Sequence, residues 1–155
     1  MRTISILALC LVASGARAEP ITAPEGWVAI DTDKPFARLL DDLTAAVSAN
    51  GFGVVTQAGP TAAAKQRGVD IPDNRIVGVF NNIYAVRVLA LSVPAMIEAP
   101  VRFYLTDDGD GTASLSWKTP SHVFAPYMSG AIPDLAVAAG ELDAVFQAIA
   151  DTATQ

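Results

Sequence analysis

The chain has 155 residues, the length of one domain, and 52% of them are hydrophobic, which is enough to build a core. Its formal net charge of −6 disfavours nucleic acid and anionic membrane surfaces as partners, because both attract Lys and Arg. A single cysteine, Cys10, excludes a framework of intramolecular disulfides.

Residues 1–18 have the pattern of a secretory signal peptide. A basic start at Arg2 precedes an apolar run, 4–13, that is shorter than the roughly 20 residues needed to cross a bilayer. Ala16 and Ala18 then supply small residues at the two positions that a signal peptidase reads. We expect cleavage after Ala18 and a periplasmic or secreted product. Leu9 precedes Cys10 where a lipoprotein signal needs a small residue, which argues against a lipid anchor.

Cleavage after Ala18 changes the composition of the chain. It removes two of the ten basic residues and none of the sixteen acidic ones, so the net charge becomes −8. It also removes the only cysteine, which excludes a thiolate nucleophile and a cysteine metal site. Residues 19–26 contain two prolines and predict an extended arm, residues 27–155 predict a single domain, and no second apolar stretch predicts a membrane span.

The first half of the domain predicts strands at 27–32 and 52–57, with a long helix between them and a short helix after them. The long helix, 35–50, has apolar residues at a helical spacing, with Asp33 expected as its cap. The short helix spans 61–67. Glycines after both helices predict left-handed ends.

The centre of the chain predicts a strand at 75–80 that runs into a helix at 83–92. Asn81 and Asn82 lie at the junction, where an asparagine can cap the helix. An apolar stripe in this helix is expected to face the core. The stripe consists of Ile83, Val86, Ala90 and Val93.

The clearest pattern is a β-hairpin, in which alternate residues of 101–106 and 112–118 are apolar. One face is expected to be buried and the other, with Ser114 and Ser116, to face solvent. A loop at 119–133 and a final helix capped by Asp134 follow. The expected fold is α+β: a two-layer sandwich of a roughly five-stranded, mostly antiparallel sheet with helices packed on one face.

Several short matches, in order and spacing, resemble the family called domain of unknown function 302. They are Phe36 with the following helix, Gly51–Val55, Ala62–Lys65 with Gly68, Ile71-Pro72, Phe80–Asn82, Ala99–Arg102, Asp108-Gly109 and Thr119-Pro120. The resemblance covers Trp27 to Tyr127. It implies a small two-layer α+β fold, no established activity and no cofactor.

Candidates for catalysis are few. Ser121-His122 is the one place where a base could activate a hydroxyl, but the chain has no GxSxG turn. Asp41 and Asp42 lie off the apolar face of their helix and are expected to be solvated. The acidic segment 107–111 resembles a calcium loop in composition, yet it lies between two strands and lacks the closing Glu, so a plain hairpin turn is the favoured interpretation.

A soft-metal site is a second interpretation. His122, Met96 and Met128 are the imidazole and thioethers of the processed chain, and Cu(I) is bound by such ligands. The alternative is that both methionines fill gaps in the core. We expect no cofactor and no metal.

The favoured site is an anion site at the start of the central helix, where unpaired amides and the helix dipole meet. Its predicted residues are Asn81, Asn82, Tyr84, Arg87 and Arg102, with the His122 loop as a lid. Arg87 alternatively covers the edge of the core with its aliphatic chain. Three aromatic residues, Tyr104, Phe124 and Tyr127, are alternative walls of a small-ligand pocket.

Together these patterns predict a small, non-catalytic periplasmic domain that binds a small, anionic ligand or a partner protein. The other class is an enzyme or a copper carrier centred on His122. Neither nucleic acid nor, after processing, a membrane is expected as a partner, and a homodimer remains open.

Overall fold

A five-stranded antiparallel sheet organises the computed structural model, which describes residues 22–128 and 133–155. The strand order is β1-β5-β4-β3-β2, which leaves β1 and β2 at the edges. The strands are β1 (Trp27–Thr32), β2 (Gly53–Ala58), β3 (Asn74–Phe80), β4 (Val101–Asp107) and β5 (Ala113–Lys118). The predicted signal peptide and the first part of the predicted arm lie outside the described residues.

In the described part of the chain five helices complete the fold, and two short 3₁₀ turns follow α3 and α4. The helices are α1 (Phe36–Ala49), α2 (Thr61–Gln66), α3 (Asn82–Leu91), α4 (Pro120–Phe124) and α5 (Pro133–Thr154). The turns are Pro94–Glu98 and Ala125–Tyr127. Within the described ranges no helix is both long and apolar enough to cross a membrane.

One face of the sheet is covered by α1 and α5, which also pack on each other. The covered face takes alternate residues of each strand, as the periodicity predicted. Its fully buried side chains include Val77, Phe103, Leu105, Leu115 and Trp117, which meet Leu39, Leu43, Phe146 and Ile149. The expected α+β sandwich with helices on one face is confirmed.

Within residues 22–128 and 133–155 no helix layer covers the opposite face of the sheet, yet two of its predicted solvent-facing residues are buried. Ser114 and Ser116 are 1% and 0% exposed. Ser114 Oγ lies within hydrogen-bond distance of Asp31 and Asp108, and Ser116 Oγ donates to the Tyr104 carbonyl oxygen. The prediction that both serines face solvent is wrong. Ser114 lies between the larger Asp31 and Thr106, and Ser116 lies beside the larger Tyr104.

The expected helix starts are corrected in three places. Pro35 occupies the cap of α1, so Asp33 lies too early to bind its amides. Asp134 lies in the first turn of α5 rather than at its cap, and its charge still complements the helix dipole. The predicted loop after Thr119 contains α4, because the Thr119 hydroxyl accepts from the His122 amide and Pro120 suits the first helical position.

The largest correction concerns α3, whose predicted core stripe faces solvent. Ile83 is 78% exposed and Val93 is 71% exposed. The helix packs instead through the opposite side, where Val88 is buried and Tyr84 stacks on Phe52 with 5.9 Å between ring centroids. Both sides of α3 carry apolar residues, so periodicity alone did not identify the packed side.

Candidate functional site

The turn between β3 and α3 holds the predicted anion site, and Asn81 fills it with its own side chain. Asn81 Oδ1 accepts from the amides of Ile83 and Tyr84 at 2.9 and 3.2 Å. Asn81 Nδ2 donates to the Gly51 carbonyl oxygen at 2.9 Å, while Asn82 is exposed as the first residue of α3. The asparagine cap was therefore predicted correctly, but it occupies two of the amides that an anion would need.

Arg87 reaches from α3 to Glu141 of α5. Its two terminal nitrogens lie 2.5 and 3.2 Å from the two carboxylate oxygens, so the contact is bidentate. The hydrogen bond raises the pKa of Arg87 and lowers the pKa of Glu141. Arg87 therefore has an anionic partner within the protein and serves to join two helices.

Arg102 lies elsewhere. It pairs in register with Gly78 of β3 and alternates with the buried Phe103, so its side chain points to the uncovered face of the sheet. The helices that hold Arg87 cover the other face. The structure therefore does not bring Arg87 and Arg102 into the single site that the sequence predicted.

A groove of about 570 Å³ occupies the uncovered face next to Arg102; we call it the sheet-face groove. Four strands contribute to its lining, together with Glu98 of the 3₁₀ turn before β4 and Val123 of α4. Its lining includes Trp27 of β1, Asn74 and Ile76 of β3, Arg102 and Tyr104 of β4, Lys118 of β5, Glu98 and Val123. This volume lies within the range of about 300–1,000 Å³ that is typical of small-ligand pockets.

The sheet-face groove contains two cationic side chains without a carboxylate partner. Lys118 Nζ lies over the Trp27 ring, 5.4 Å from its centroid. In the described part of the chain, the ion pairs within 4.0 Å involve neither Lys118 nor Arg102. Cation–π contact leaves the lysine charge available to an anion.

Glu98 is the acidic residue among those that line the groove, and it is already hydrogen-bonded. Its Oε1 accepts from the Tyr127 hydroxyl at 2.6 Å, and this bond raises the pKa of Tyr127. Tyr127 therefore holds Glu98 beside the groove. It is not itself among the residues that line the groove.

A second groove, of about 620 Å³, lies between α2 and the β4–β5 turn. It mixes the cations Lys65 and Arg75 with the carboxylates of Asp70, Asp73 and Asp107. Opposite charges in one shallow groove favour no single class of ligand, so the sheet-face groove is the stronger candidate.

Ser121 and His122, the residues proposed for catalysis, each contact other parts of the protein. The exposed His122 ring lies so close to Gly26 that a side chain at Gly26 would overlap its Nδ1. The Ser121 hydroxyl lies 3.4 Å from Thr119 Oγ1, and the Ser121 amide donates to Asp143. This geometry gives His122 a structural contact with the start of β1.

The proposed soft-metal ligands differ in their solvent exposure. Met96 and Met128 are half-buried and pack against the core, whereas His122 is exposed. Among the described residues no three His, Cys, Asp or Glu side chains form a group that could hold a metal ion. The core contacts of both methionines favour the interpretation in which they fill gaps in the core.

The acidic β4–β5 turn binds its own backbone. Asp107 Oδ1 accepts from the Gly109 amide at 2.7 Å, and Asp110 Oδ1 accepts from the Thr112 amide at 3.0 Å. These short-range bonds are typical of a turn in which Asp side chains replace backbone partners. They support the hairpin-turn interpretation.

Most groove residues were absent from the predicted site, among them Trp27, Ile76 and Lys118. The signal that could have found them is strand alternation, because each lies one residue from a core residue of its own strand. Alternation did not reveal that β1 and β3 contribute to the same groove. Their first residues are 47 positions apart, and β5 and β4 lie between the two strands in the sheet.

Comparison with known proteins agrees with the fold. The family model described as "Domain of unknown function DUF302" matches residues 28–152. An uncharacterized conserved DUF302 protein from Bacillus stearothermophilus has a similar crystal structure, with a TM-score of 0.74 and 20% identity. The match covers 85% of this chain and 100% of that one, and at this identity it supports the fold alone. No curated protein matches the chain.

Proposed function

We propose that this chain, which belongs to the DUF302 family, binds a small organic anion in the sheet-face groove. The observation that carries the proposal is the pair Arg102 and Lys118, two cations without carboxylate partners beside one groove of an acidic protein. Charge-assisted hydrogen bonds from a guanidinium to a carboxylate, sulfonate or phosphate are about twice as strong as neutral ones.

The other groove walls favour a ligand with an apolar or aromatic body. Trp27 and Tyr104 present rings to the groove, and Ile76 is an aliphatic residue that lies 41% exposed on its floor. An aromatic acid would place its ring against these side chains and its charged group near Arg102. Such an arrangement combines apolar contact with one or two oriented polar groups, as small-ligand sites generally do.

We further propose that the domain acts after export, as a periplasmic or secreted binding module without catalytic activity. The basic start, the short apolar run and Ala16-Arg17-Ala18 support export. The hydrogen bonding of Ser121 and the contact of His122 with Gly26 support binding over catalysis, because neither side chain is arranged to activate the other.

The test is a titration with 1-naphthoate, followed by backbone amide NMR shifts and by the combined fluorescence of Trp27 and Trp117, which both line the groove. We expect saturable shifts on β3, β4 and β5, and weaker binding of the neutral analogue 1-naphthalenemethanol. Replacing Arg102 with Gln, or Lys118 with Gln, should weaken naphthoate binding at least tenfold, about 1.4 kcal/mol.

Arg67→Gln provides the matched control, because Arg67 is exposed and lies outside the groove. It removes the same charge from the protein and should leave binding unchanged. An equal loss of naphthoate affinity in Arg67→Gln and Arg102→Gln would mean that net charge alone accounts for the effect. Naphthoate-induced NMR shifts confined to surfaces outside the groove would refute this site.

A further inference from the structure

An uncovered apolar surface runs along α3 and the turn that follows it. It consists of six residues, which we call the α3 patch: Ile83, Val86, Leu89, Ala90, Val93 and Ile97. Five of them are large hydrophobic residues exposed by 48–79%, with Ile83 and Ile97 the most exposed. The 3₁₀ turn that carries Ile97 packs back on α3, so the six residues belong to one surface.

The α3 patch is as large as the larger apolar patches that monomers expose. Side chains exposed to this degree present on the order of 500 Å² of apolar area, near the upper end of the roughly 300–600 Å² found for the largest patch of a typical monomer. Two copies in contact would bury about 1,000 Å² of apolar area, and their rims would bring the total close to the 1,200 Å² of a small specific interface.

The charge around the α3 patch identifies what covers it. The patch carries no charged residue, and its border with α5 carries the balanced pair Arg87 and Glu141. The rest of the chain is strongly acidic, so a basic partner would dock more favourably elsewhere, and an anionic membrane would be repelled. A second copy matches this surface, because identical neutral patches meet without charge repulsion.

We propose that the α3 patch is the contact surface of a homodimer, in which α3 packs on α3 of the second copy about a two-fold axis. Within α3, Ile83, Val86 and Ala90 repeat at spacings of three and four residues, which is the spacing by which helices pack side by side, and Val93 follows just beyond the helix end. Ala90 is small, so the two helices can approach closely at this position. A two-fold contact uses the same patch on both copies and therefore closes as a dimer.

The first test measures the oligomeric state of the full chain by sedimentation velocity up to several hundred micromolar. We expect a reversible dimer with micromolar affinity, because the interface is small. Val86→Glu should shift the protein to monomer. Val55→Glu is the matched control, because Val55 is 53% exposed and Val86 is 58% exposed, and Val55 lies on the edge strand β2.

Melting curves of both variants establish that they are folded, so that loss of the dimer is not loss of the domain. Three results would each overturn the proposal. The dimer could persist in Val86→Glu, it could be lost equally in Val55→Glu, or the wild-type chain could stay monomeric at all concentrations.

The second test does not depend on weakening the contact. Ala90→Cys should form a disulfide-linked dimer when treated with oxidised glutathione, because the two-fold axis brings the residue close to its copy. Ala45→Cys, on the exposed side of α1, and the parent chain with its Cys10 are the controls. Cross-linking of Ala90→Cys no faster than Ala45→Cys would contradict the α3 contact.

Discussion

Phe146 of α5 stacks on Phe103 of β4, with 4.7 Å between ring centroids and 17° between ring planes. Both rings are fully buried. Trp117 of β5 also packs on Phe103, with 5.5 Å between their ring centroids. This aromatic cluster joins the C-terminal helix to the centre of the sheet.

We predict that Phe146→Ala destabilises the domain by about 3–5 kcal/mol, because it removes a fully buried ring and leaves a cavity that α5 cannot close. Denaturant unfolding measures the loss. Val137→Ala on the same helix, where the side chain is 54% exposed, should cost less than about 0.5 kcal/mol. Similar costs for the two variants would contradict the assigned face of α5.

Leu43→Ala should cost about 2–5 kcal/mol, since Leu43 is fully buried at the centre of α1. Leu40, one turn earlier, is only half-buried, so Leu40→Ala should cost less. The same unfolding experiment ranks the two variants. A larger loss at Leu40 would show that α1 presents a different face to the sheet.

Asn81→Ala should lower stability by about 1–2 kcal/mol, because it removes the acceptor for two helix amides and the bond to Gly51. Asn82→Ala is the control, since the neighbouring Asn82 is exposed and does not cap α3. Asn81→Asp keeps the acceptor and should recover part of the loss. Thermal melts that find Asn82→Ala as damaging as Asn81→Ala would refute this assignment.

The stability of the β4–β5 turn should depend on pH through Asp108. Burial, followed by the charges of Asp31, Asp110 and Asp107, raises the pKa of Asp108 against the opposing hydrogen bond from Ser114. Because the pKa of Asp108 is higher in the folded state, folding favours its protonated form. The stability that protonated Asp108 contributes is fully present below the unfolded-state pKa of about 4, and it is lost as the pH rises through the folded-state pKa.

Asp108→Asn should therefore be more stable than wild type at pH 7, and the difference should disappear below about pH 4. Asp41→Asn, an exposed site on α1, controls for the change in net charge. Denaturant midpoints measured across this pH range test the prediction, and an Asp108→Asn variant less stable than wild type at pH 7 would contradict it.

The exported protein should begin at Glu19. N-terminal sequencing after expression with the native leader checks this, because cleavage after Ala18 leaves Glu19-Pro20 at the new terminus. A lipid-modified Cys10 at the mature terminus, or a chain that retains Met1 inside the cell, would contradict it.

The sequence by itself determined the local elements of this protein. Alternation located the hairpin strands, helical spacing located α1, and an asparagine of the Asn81-Asn82 pair was expected to cap α3. These features depend on residues close together in the chain, so the pattern of side chains predicts them directly.

Only the tertiary structure decided which side of α3 is packed and where the cations lie. α3 is apolar on both sides, and its packed side was selected by contacts with Phe52 and α5 that no local pattern encodes. Arg87 and Arg102 are 15 positions apart, yet one pairs with Glu141 in the helix layer while the other faces the uncovered side of the sheet. The sheet-face groove likewise exists because the strand order brings β1 beside β5, and that order results from which apolar faces bury one another best.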